Sequence, residues 1–151
     1  MARDMVGAVA RKLGNAGKCI TGQQRIETAE RAGVARNALP NARLVDVYGA
    51  DAIRLMGYIE ARPELGQPTA PGLPYIRAEI HYAAQHEMAL TLSDALIRRT
   101  HVIYEAPDAG LPQAPVAAAL MAEKLGWDAA EQERQVTEYA RQAALTRNFR
   151  S

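Results

Sequence analysis

Apolar side chains recur along this chain at the three- and four-residue spacing that gives a helix one apolar face. Val6, Val9 and Leu13 form the first such stripe, and Gly14 follows where a helix over residues 3–14 would end. Comparable patterns predict helices near residues 44–48, 52–62, 75–90, 91–100 and 115–125 and after residue 128, with a short further helix over 28–38. No alternating apolar and polar stretch is long enough to build a sheet. The expected fold is all-α, a small helical bundle of about six helices with an N-terminal helical arm.

Glycine and proline divide this pattern into segments. Residues 15–39 begin with a stretch rich in Gly, Asn and Gln, which predicts a linker; we place the helical domain at 40–147 and a tail at 148–151. Residues 63–74 hold four prolines and are predicted to be a stiff, extended connection, because each ring removes a hydrogen-bond donor. Residues 101–110 are predicted to be a loop or a short extended piece.

Three polar residues stand where a helix needs a cap. Asp51 precedes the helix that ends before Pro63, and Asp128 precedes the last helix. Thr91 is followed three residues later by Asp94, which is the spacing of a capping box. Such side chains bind the backbone N–H groups left without partners in a first helical turn. We therefore expect them to fix where these helices begin.

Composition and charge narrow the class of protein. The chain has 151 residues, of which 48% are hydrophobic, and carries 18 basic and 17 acidic residues. This balance gives no field that would favour nucleic acid or an anionic membrane as the main partner. Cys19 is the only cysteine, so no disulfide framework is expected, and no apolar run is long enough to cross a bilayer. We expect a cytoplasmic domain; a membrane-associated parent protein stays open.

Common signatures of nucleotide, zinc-protease and hydrolase sites do not occur in the sequence. His81 and His86 are five residues apart, so their rings would point about 140° apart on one helix, which disfavours a shared metal ion. Residues 28–39 have the pattern of a helix-turn-helix unit with Arg36 and Asn37 on DNA bases, but Pro40 interrupts its second helix. We expect no catalytic, cofactor-binding or metal-binding residue here, and keep a helix-turn-helix DNA-binding protein as a weaker alternative.

Glu87 stands out as an acid on the apolar side of the helix predicted over 75–90. Burying an unpaired carboxylate is costly, so a cationic partner is expected, and replacing Glu87 by alanine should cost a few kcal/mol. Arg98 and Arg99 lie on the next predicted helix. We predict a structural ion pair between Glu87 and either Arg98 or Arg99.

Glu79, Tyr82 and His86 share another side of the same predicted helix. One interpretation is a polar face presented to another domain or to a ligand. The other is a surface stripe with a local hydrogen bond, since polar clusters are only probable markers of a site.

Residues 71–100 carry two linked motifs, Glu-x-x-Tyr-x-x-x-His-Glu followed by Leu-x-Asp-x-Leu-x-Arg-Arg-Thr. Together with the Leu-x-x-x-Tyr-Gly element that ends at Gly49 and the Leu-Gly-Trp-Asp sequence at 125–128, they extend over about residues 40–145. This region resembles the C-terminal helical domain of FAD-dependent, quinone-linked glycerol-3-phosphate dehydrogenases and of the related glycerophosphate oxidases. The motif positions in this chain are Glu79, Tyr82, His86, Glu87, Leu92, Asp94, Leu96, Arg98, Arg99 and Thr100.

The resemblance implies that this chain is the accessory, non-catalytic domain of a parent protein that oxidises glycerol 3-phosphate to dihydroxyacetone phosphate with FAD. It implies that the flavin and substrate ligands belong to an N-terminal FAD domain outside this chain, and that residues 1–14 are the last helix of that domain. We therefore expect this chain alone to be inactive and the FAD domain to be its partner, with Glu79, Tyr82 and His86 as an inter-domain face. A stand-alone helical protein-interaction module is the main alternative.

Overall fold

The structure is a computed structural model that describes residues 2–14, 17, 20, 22–23 and 41–147. These residues form seven α-helices, joined by 3-10 turns and one π-helix, and no β-strand. The all-α prediction is confirmed. The helix predicted over 28–38, the helix-turn-helix pattern and the tail at 148–151 lie outside the described residues. The helices are α1 (Ala2–Lys12), α2 (Ala42–Tyr48), α3 (Ala52–Ala61), α4 (Arg77–His86), α5 (Val102–Glu105), α6 (Ala114–Leu125) and α7 (Ala129–Arg147).

Backbone contacts divide the chain into two compact units, residues 1–50 and 51–151. In the first unit, α1 has no buried residue, whereas Leu44 and Val45 of α2 are buried. Gly49 ends α2 with a positive φ of 57°. The domain predicted over 40–147 crosses the division between the units, and its boundaries stay a prediction.

The second unit has its core between α3, α4, α6 and α7. Helix α6 packs against both α4 and α7, and α3 packs against α4. Buried alanines on α4 and α6 let helices approach closely, while larger apolar side chains fill the interior. The largest fully buried side chains of this unit include Leu55, Leu65, Ile80, Leu92, Leu96, Met121 and Tyr139. In the described part of the chain, no helix has both the length and the apolar character needed to span a membrane.

Two of the three predicted helix caps are made. The Asp128 carboxylate accepts a hydrogen bond from the N–H of Glu131 at 2.8 Å. Asp94 accepts from the N–H of Thr91 at 2.9 Å, and Thr91 Oγ1 accepts from the N–H of Asp94 at 3.1 Å, which completes the capping box. The cap predicted at Asp51 is wrong. Asp51 precedes α3 but makes no side-chain cap hydrogen bond.

The helix predicted over 75–90 is shorter than expected. It starts at Arg77 and ends at His86, because Met88 takes the left-handed conformation with φ 54°. The next predicted helix forms, but residues Asp94–Arg99 are a π-helix. Its wider turn is visible in the hydrogen bond from the N–H of Thr100 to the Ala95 carbonyl, five residues earlier, at 3.0 Å.

Two predicted connections contain helical turns. Residues Pro63–Gly66 form a 3-10 helix, which proline permits because the first turn has no internal use for its N–H group. Helix α5 lies inside the predicted loop 101–110. Beyond it, Gly110 has a φ of 68°, and a side chain there would collide with Val102, so this turn requires glycine.

Candidate functional site

The side chains predicted to form a polar inter-domain face have different environments. Glu79 is fully buried and Tyr82 is 5% exposed, while His86 is exposed. Glu79 Oε2 accepts a hydrogen bond from the N–H of Ile76 at 2.7 Å. This is half of a capping box, because the Ile76 side chain has no acceptor to return the bond. The structure therefore does not present the three side chains as one exposed face.

His86 belongs to a cluster of aromatic and imidazole rings on α3 and α4. Its Nε2 lies 2.8 Å from the Tyr58 hydroxyl, which also donates to Gln85 Oε1 at 3.2 Å. The Tyr82 and His86 rings are 4.8 Å apart between centroids, and Tyr58 meets His81 edge-on at 5.0 Å. These contacts hold the exposed His86 ring in one orientation against the end of α3.

His81 is the buried imidazole of this cluster. It is 4% exposed, and desolvation lowers its pKa below the ordinary value, so the ring is neutral near neutral pH. Its Nδ1 lies 3.9 Å from Glu123 Oε2, but Arg62 binds that carboxylate directly through two contacts of 2.6 and 3.2 Å. The hydrogen bond from Arg62 lowers the pKa of Glu123. The Arg62–Glu123 ion pair thus joins the end of α3 to α6, and the neutral His81 beside it adds no charge.

Tyr82 is a phenol near neutral pH. Burial, followed by a hydrogen bond with Asp51, raises the pKa of Tyr82 to about 12. Asp51 does not cap α3 because it continues the preceding 3-10 turn with helical φ and ψ angles, whereas a capping residue has extended backbone. Within the described residues, no three His, Cys, Asp or Glu side chains are grouped so as to hold a metal ion.

The predicted ion pair at Glu87 involves Arg99. The Arg99 Nε atom lies 3.3 Å from Glu87 Oε2, and Arg99 Nη2 donates to the Glu87 carbonyl at 2.7 Å. Arg98 instead pairs with Asp94 at 2.7 Å, so the alternative Glu87–Arg98 pair is wrong. Glu87 follows the end of α4, and its side chain is 29% exposed.

Burial raises the pKa of Glu87, and the attraction of Arg99 offsets this only in part. Glu87 Oε2 also has no hydrogen-bond partner in the described residues, because the 3.3 Å approach lacks hydrogen-bond geometry. The Glu87–Arg99 contact is therefore a weak brace between α4 and the π-helix.

The second unit also contains a cavity of about 230 Å³ that the sequence did not predict. It is lined by polar side chains from the connection before α4 and from the start of α6, and by apolar side chains of α4 and α6. No local motif marks it, since its residues are distant along the chain. The lining consists of Thr69, Arg77, Ile80, Pro112, Gln113, Val116, Ala117 and Leu120.

Comparisons with known proteins relate this chain to glycerol-3-phosphate dehydrogenases. A glycerol-3-phosphate dehydrogenase of Synechocystis is 32% identical over 62% of this chain and 17% of its own length. Glycerol-3-phosphate dehydrogenase 2 of Mycobacterium bovis is 33% identical over 76% of this chain and 20% of its own length. A glycerol-3-phosphate dehydrogenase of Mycobacterium leprae is 35% identical over 64% of this chain and 16% of its own length. No solved structure gives a significant match.

The chain thus spans no more than about a fifth of the length of these relatives. Residues 5–132 match the protein family described as the C-terminal domain of alpha-glycerophosphate oxidase. This match includes α2 to α6 and both motifs. The chain belongs to that family of C-terminal domains.

Proposed function

We propose that this chain is the C-terminal accessory domain of an FAD-dependent glycerol-3-phosphate dehydrogenase, whose parent protein oxidises glycerol 3-phosphate to dihydroxyacetone phosphate. The observation that carries the proposal is the family match over residues 5–132. It is supported by relatives named glycerol-3-phosphate dehydrogenase, of which this chain spans 16–20%. Catalysis then belongs to the parent protein, and this domain supports it.

The described residues do not fit FAD. A dinucleotide is usually held at the ends of parallel strands by a glycine-rich turn before a helix, whereas these residues are helical. The cavity of about 230 Å³ is also below the usual range of about 300–1,000 Å³ for larger ligands. In the proposed enzyme, an N-terminal FAD domain holds the flavin and the substrate, and no step of the reaction uses a residue of this chain.

Exposed apolar side chains support docking against that partner. In α1, Met5 is 69% exposed, Val6 is 67% exposed and Leu13 is 76% exposed. Together with Val9 they form the stripe identified in the sequence, and an apolar stripe in water favours association. We assign this stripe to the interface with the FAD domain, which agrees with residues 1–14 as the last helix of that domain. The parent enzyme would work in the cytoplasm, either free or bound peripherally at the inner face of the membrane.

A chimeric enzyme tests this proposal. The C-terminal segment of the Mycobacterium bovis enzyme that aligns with this chain is replaced by this chain, and the same enzyme cut before that segment is the control. We expect the chimera to purify with FAD, to melt at a higher temperature than the truncated control, and to oxidise glycerol 3-phosphate. A folded, flavin-loaded chimera no more active than the truncated enzyme would contradict the proposal.

Two further chimeras test the assigned interface. Val6→Glu adds a negative charge to the apolar stripe of α1, and Arg11→Gln makes the same change in net charge on the opposite face. We expect Val6→Glu to lower the melting temperature and the activity of the chimera, because a charge must then be buried on docking. Equal behaviour of the two variants would remove α1 from the interface.

A further inference from the structure

The cavity of about 230 Å³ in the second unit is lined by both polar and apolar side chains. The polar ones, called the polar end below, are Thr69, Arg77 and Gln113, and the apolar ones, called the wall, include Ile80 of α4 and Leu120 of α6. All of these residues lie in one compact unit. The cavity therefore does not depend on the position of any other domain.

The polar end is built on a braced backbone. The N–H of Thr69 donates to the Tyr75 carbonyl at 2.8 Å, and the N–H of Arg77 donates to the Gln67 carbonyl at 3.0 Å. These bonds flank an antiparallel bridge between Pro68 and Ile76. The two arms of this proline-rich connection hold Thr69 and Arg77, the first residue of α4, at fixed positions.

Two polar atoms of the lining are buried without a protein partner. Thr69 is 5% exposed, and its Oγ1 makes no hydrogen bond within the described residues; the same holds for Gln113 Oε1. A buried polar group left without a partner is costly, so each needs a water or a ligand atom in solution. Both residues line the same cavity, so a polar ligand group or water in it is the partner that these two atoms lack.

Arg77 supplies the charge at this end of the cavity. Its guanidinium makes no hydrogen bond or ion pair with another side chain of the described residues; the Glu64 carboxylate, whose pKa its charge helps to lower, is bound by Arg62 at 2.8 Å. A guanidinium presents a planar fork of donors that matches a carboxylate. The Thr69 hydroxyl can donate as well, and the Gln113 amide can rotate its N–H₂ group inward, because its oxygen and nitrogen are interchangeable in position.

We propose that this cavity binds a small monocarboxylate with an apolar body, its carboxylate on Arg77, Thr69 and Gln113 and its chain against Ile80 and Leu120. A carboxylate accepts hydrogen bonds only, which suits three donors around one group. A phosphorylated polyol fits poorly, since it brings more charge than one cation balances and places hydroxyls on the apolar wall. The volume accommodates an aliphatic chain of about six carbons, smaller than a drug-sized ligand.

Titration calorimetry on the full chain tests the site with acetate, butanoate and hexanoate, and with hexanamide as the neutral control. We expect affinity to rise about fourfold for each methylene buried against the wall. Hexanamide should bind at least about tenfold more weakly than hexanoate, because it cannot form a charge-assisted bond with Arg77.

Four variants locate the binding site. Arg77→Gln should weaken hexanoate binding about tenfold or more, and Thr69→Val should weaken it severalfold by removing the hydroxyl at constant shape. Val116→Phe adds a ring at the mouth of the cavity and should abolish binding. Arg141→Gln is the matched control, since Arg141 pairs with Glu138 on α7, and it should bind like the unsubstituted chain. Melting curves confirm that each variant is folded.

Three results would overturn the proposal. One is the absence of binding heat when hexanoate is titrated into the chain. The cavity would then hold water, or a carboxylate side chain of a protein partner. Another is equal affinity for hexanoate and hexanamide. The third is unchanged binding in folded Val116→Phe, which would place the ligand elsewhere on the chain.

Discussion

The two ends of α4 each carry a glutamate of the same motif, but the structure treats them differently. At the N-terminal end, Glu79 is fully buried and accepts a hydrogen bond from the Ile76 N–H at 2.7 Å. At the C-terminal end, Glu87 is partly exposed and meets Arg99 at 3.3 Å without hydrogen-bond geometry. The more deeply buried acid is thus the better satisfied one.

The difference follows from the direction of the helix. Free N–H groups and the positive end of the helix dipole lie at the start of α4, so a carboxylate there finds donors and a favourable field. At the end of α4 a carboxylate meets free carbonyl oxygens and the negative end of the helix dipole. The attraction of Arg99 must offset both of these unfavourable interactions. The comparison shows that the acid at the start of α4 has a backbone donor within reach, whereas the acid after its end has none among the described residues and depends on Arg99.

Replacing Glu79 should give the largest effect. Glu79→Ala removes a hydrogen bond from a fully buried position and leaves the Ile76 N–H without its partner, so we expect a loss of about 2–3 kcal/mol in the free energy of unfolding. Urea denaturation measures this loss. The control Glu133→Ala lies on the exposed surface of α7 and should change stability little. A loss at Glu79 no greater than at Glu133 would contradict the account of the N-terminal end.

Replacing Met88 by glycine should have an effect of intermediate size and should raise stability instead of lowering it. Its left-handed φ of 54° is strained for a side chain with a Cβ atom, so Met88→Gly should raise the free energy of unfolding by about 0.5–1 kcal/mol. Ala119→Gly, at an exposed position inside α6, should instead lower it by about 1 kcal/mol. If both variants lose stability equally, the backbone at Met88 is not strained.

Replacing Glu87 should give the smallest effect. In Glu87→Gln the lost attraction of Arg99 is balanced by the removal of a partly desolvated charge, so we expect a change within about 0.5 kcal/mol near neutral pH. This revises the larger cost expected from the sequence. Loss of several kcal/mol in urea denaturation would show that the Glu87–Arg99 pair is a strong brace.

The same variant has a predicted pH dependence. The raised pKa of Glu87, above the ordinary 4.5, means that the folded chain holds this proton more tightly than the unfolded chain. The stability of the unsubstituted chain relative to Glu87→Gln should therefore be greatest below about pH 4.5 and should fall as pH rises through the raised pKa. A stability difference that rises with pH would mean that the attraction of Arg99 lowers the pKa of Glu87 more than burial raises it.

Much of the fold could be predicted because its signals are local. Helix stripes, the Thr91–Asp94 capping box and the Asp128 cap each depend on residues within one or two turns. The Glu79 cap was missed although glutamate stands three residues after Ile76, because isoleucine is a rare residue before a helix. A search for an acid at the third helical position alone would have found it.

The remaining differences depend on tertiary structure. The π-helix over Asp94–Arg99 and the left-handed Met88 are fixed by packing that no short pattern encodes. The sequence could not choose between Arg98 and Arg99 as the partner of Glu87, because that choice depends on how the π-helix packs against the end of α4. The cavity was not predicted because Thr69 and Gln113 come together only when α4 and α6 pack.

The most direct test of the central claim, that this domain folds around its own core while the flavin belongs to another domain, is an FAD titration of the purified chain. FAD fluorescence is followed as chain is added, and glycerol 3-phosphate oxidation is assayed in the same samples. The account predicts no saturable FAD binding and no turnover by a chain that unfolds cooperatively. Saturable FAD binding, or oxidation of glycerol 3-phosphate by this chain alone, would contradict it.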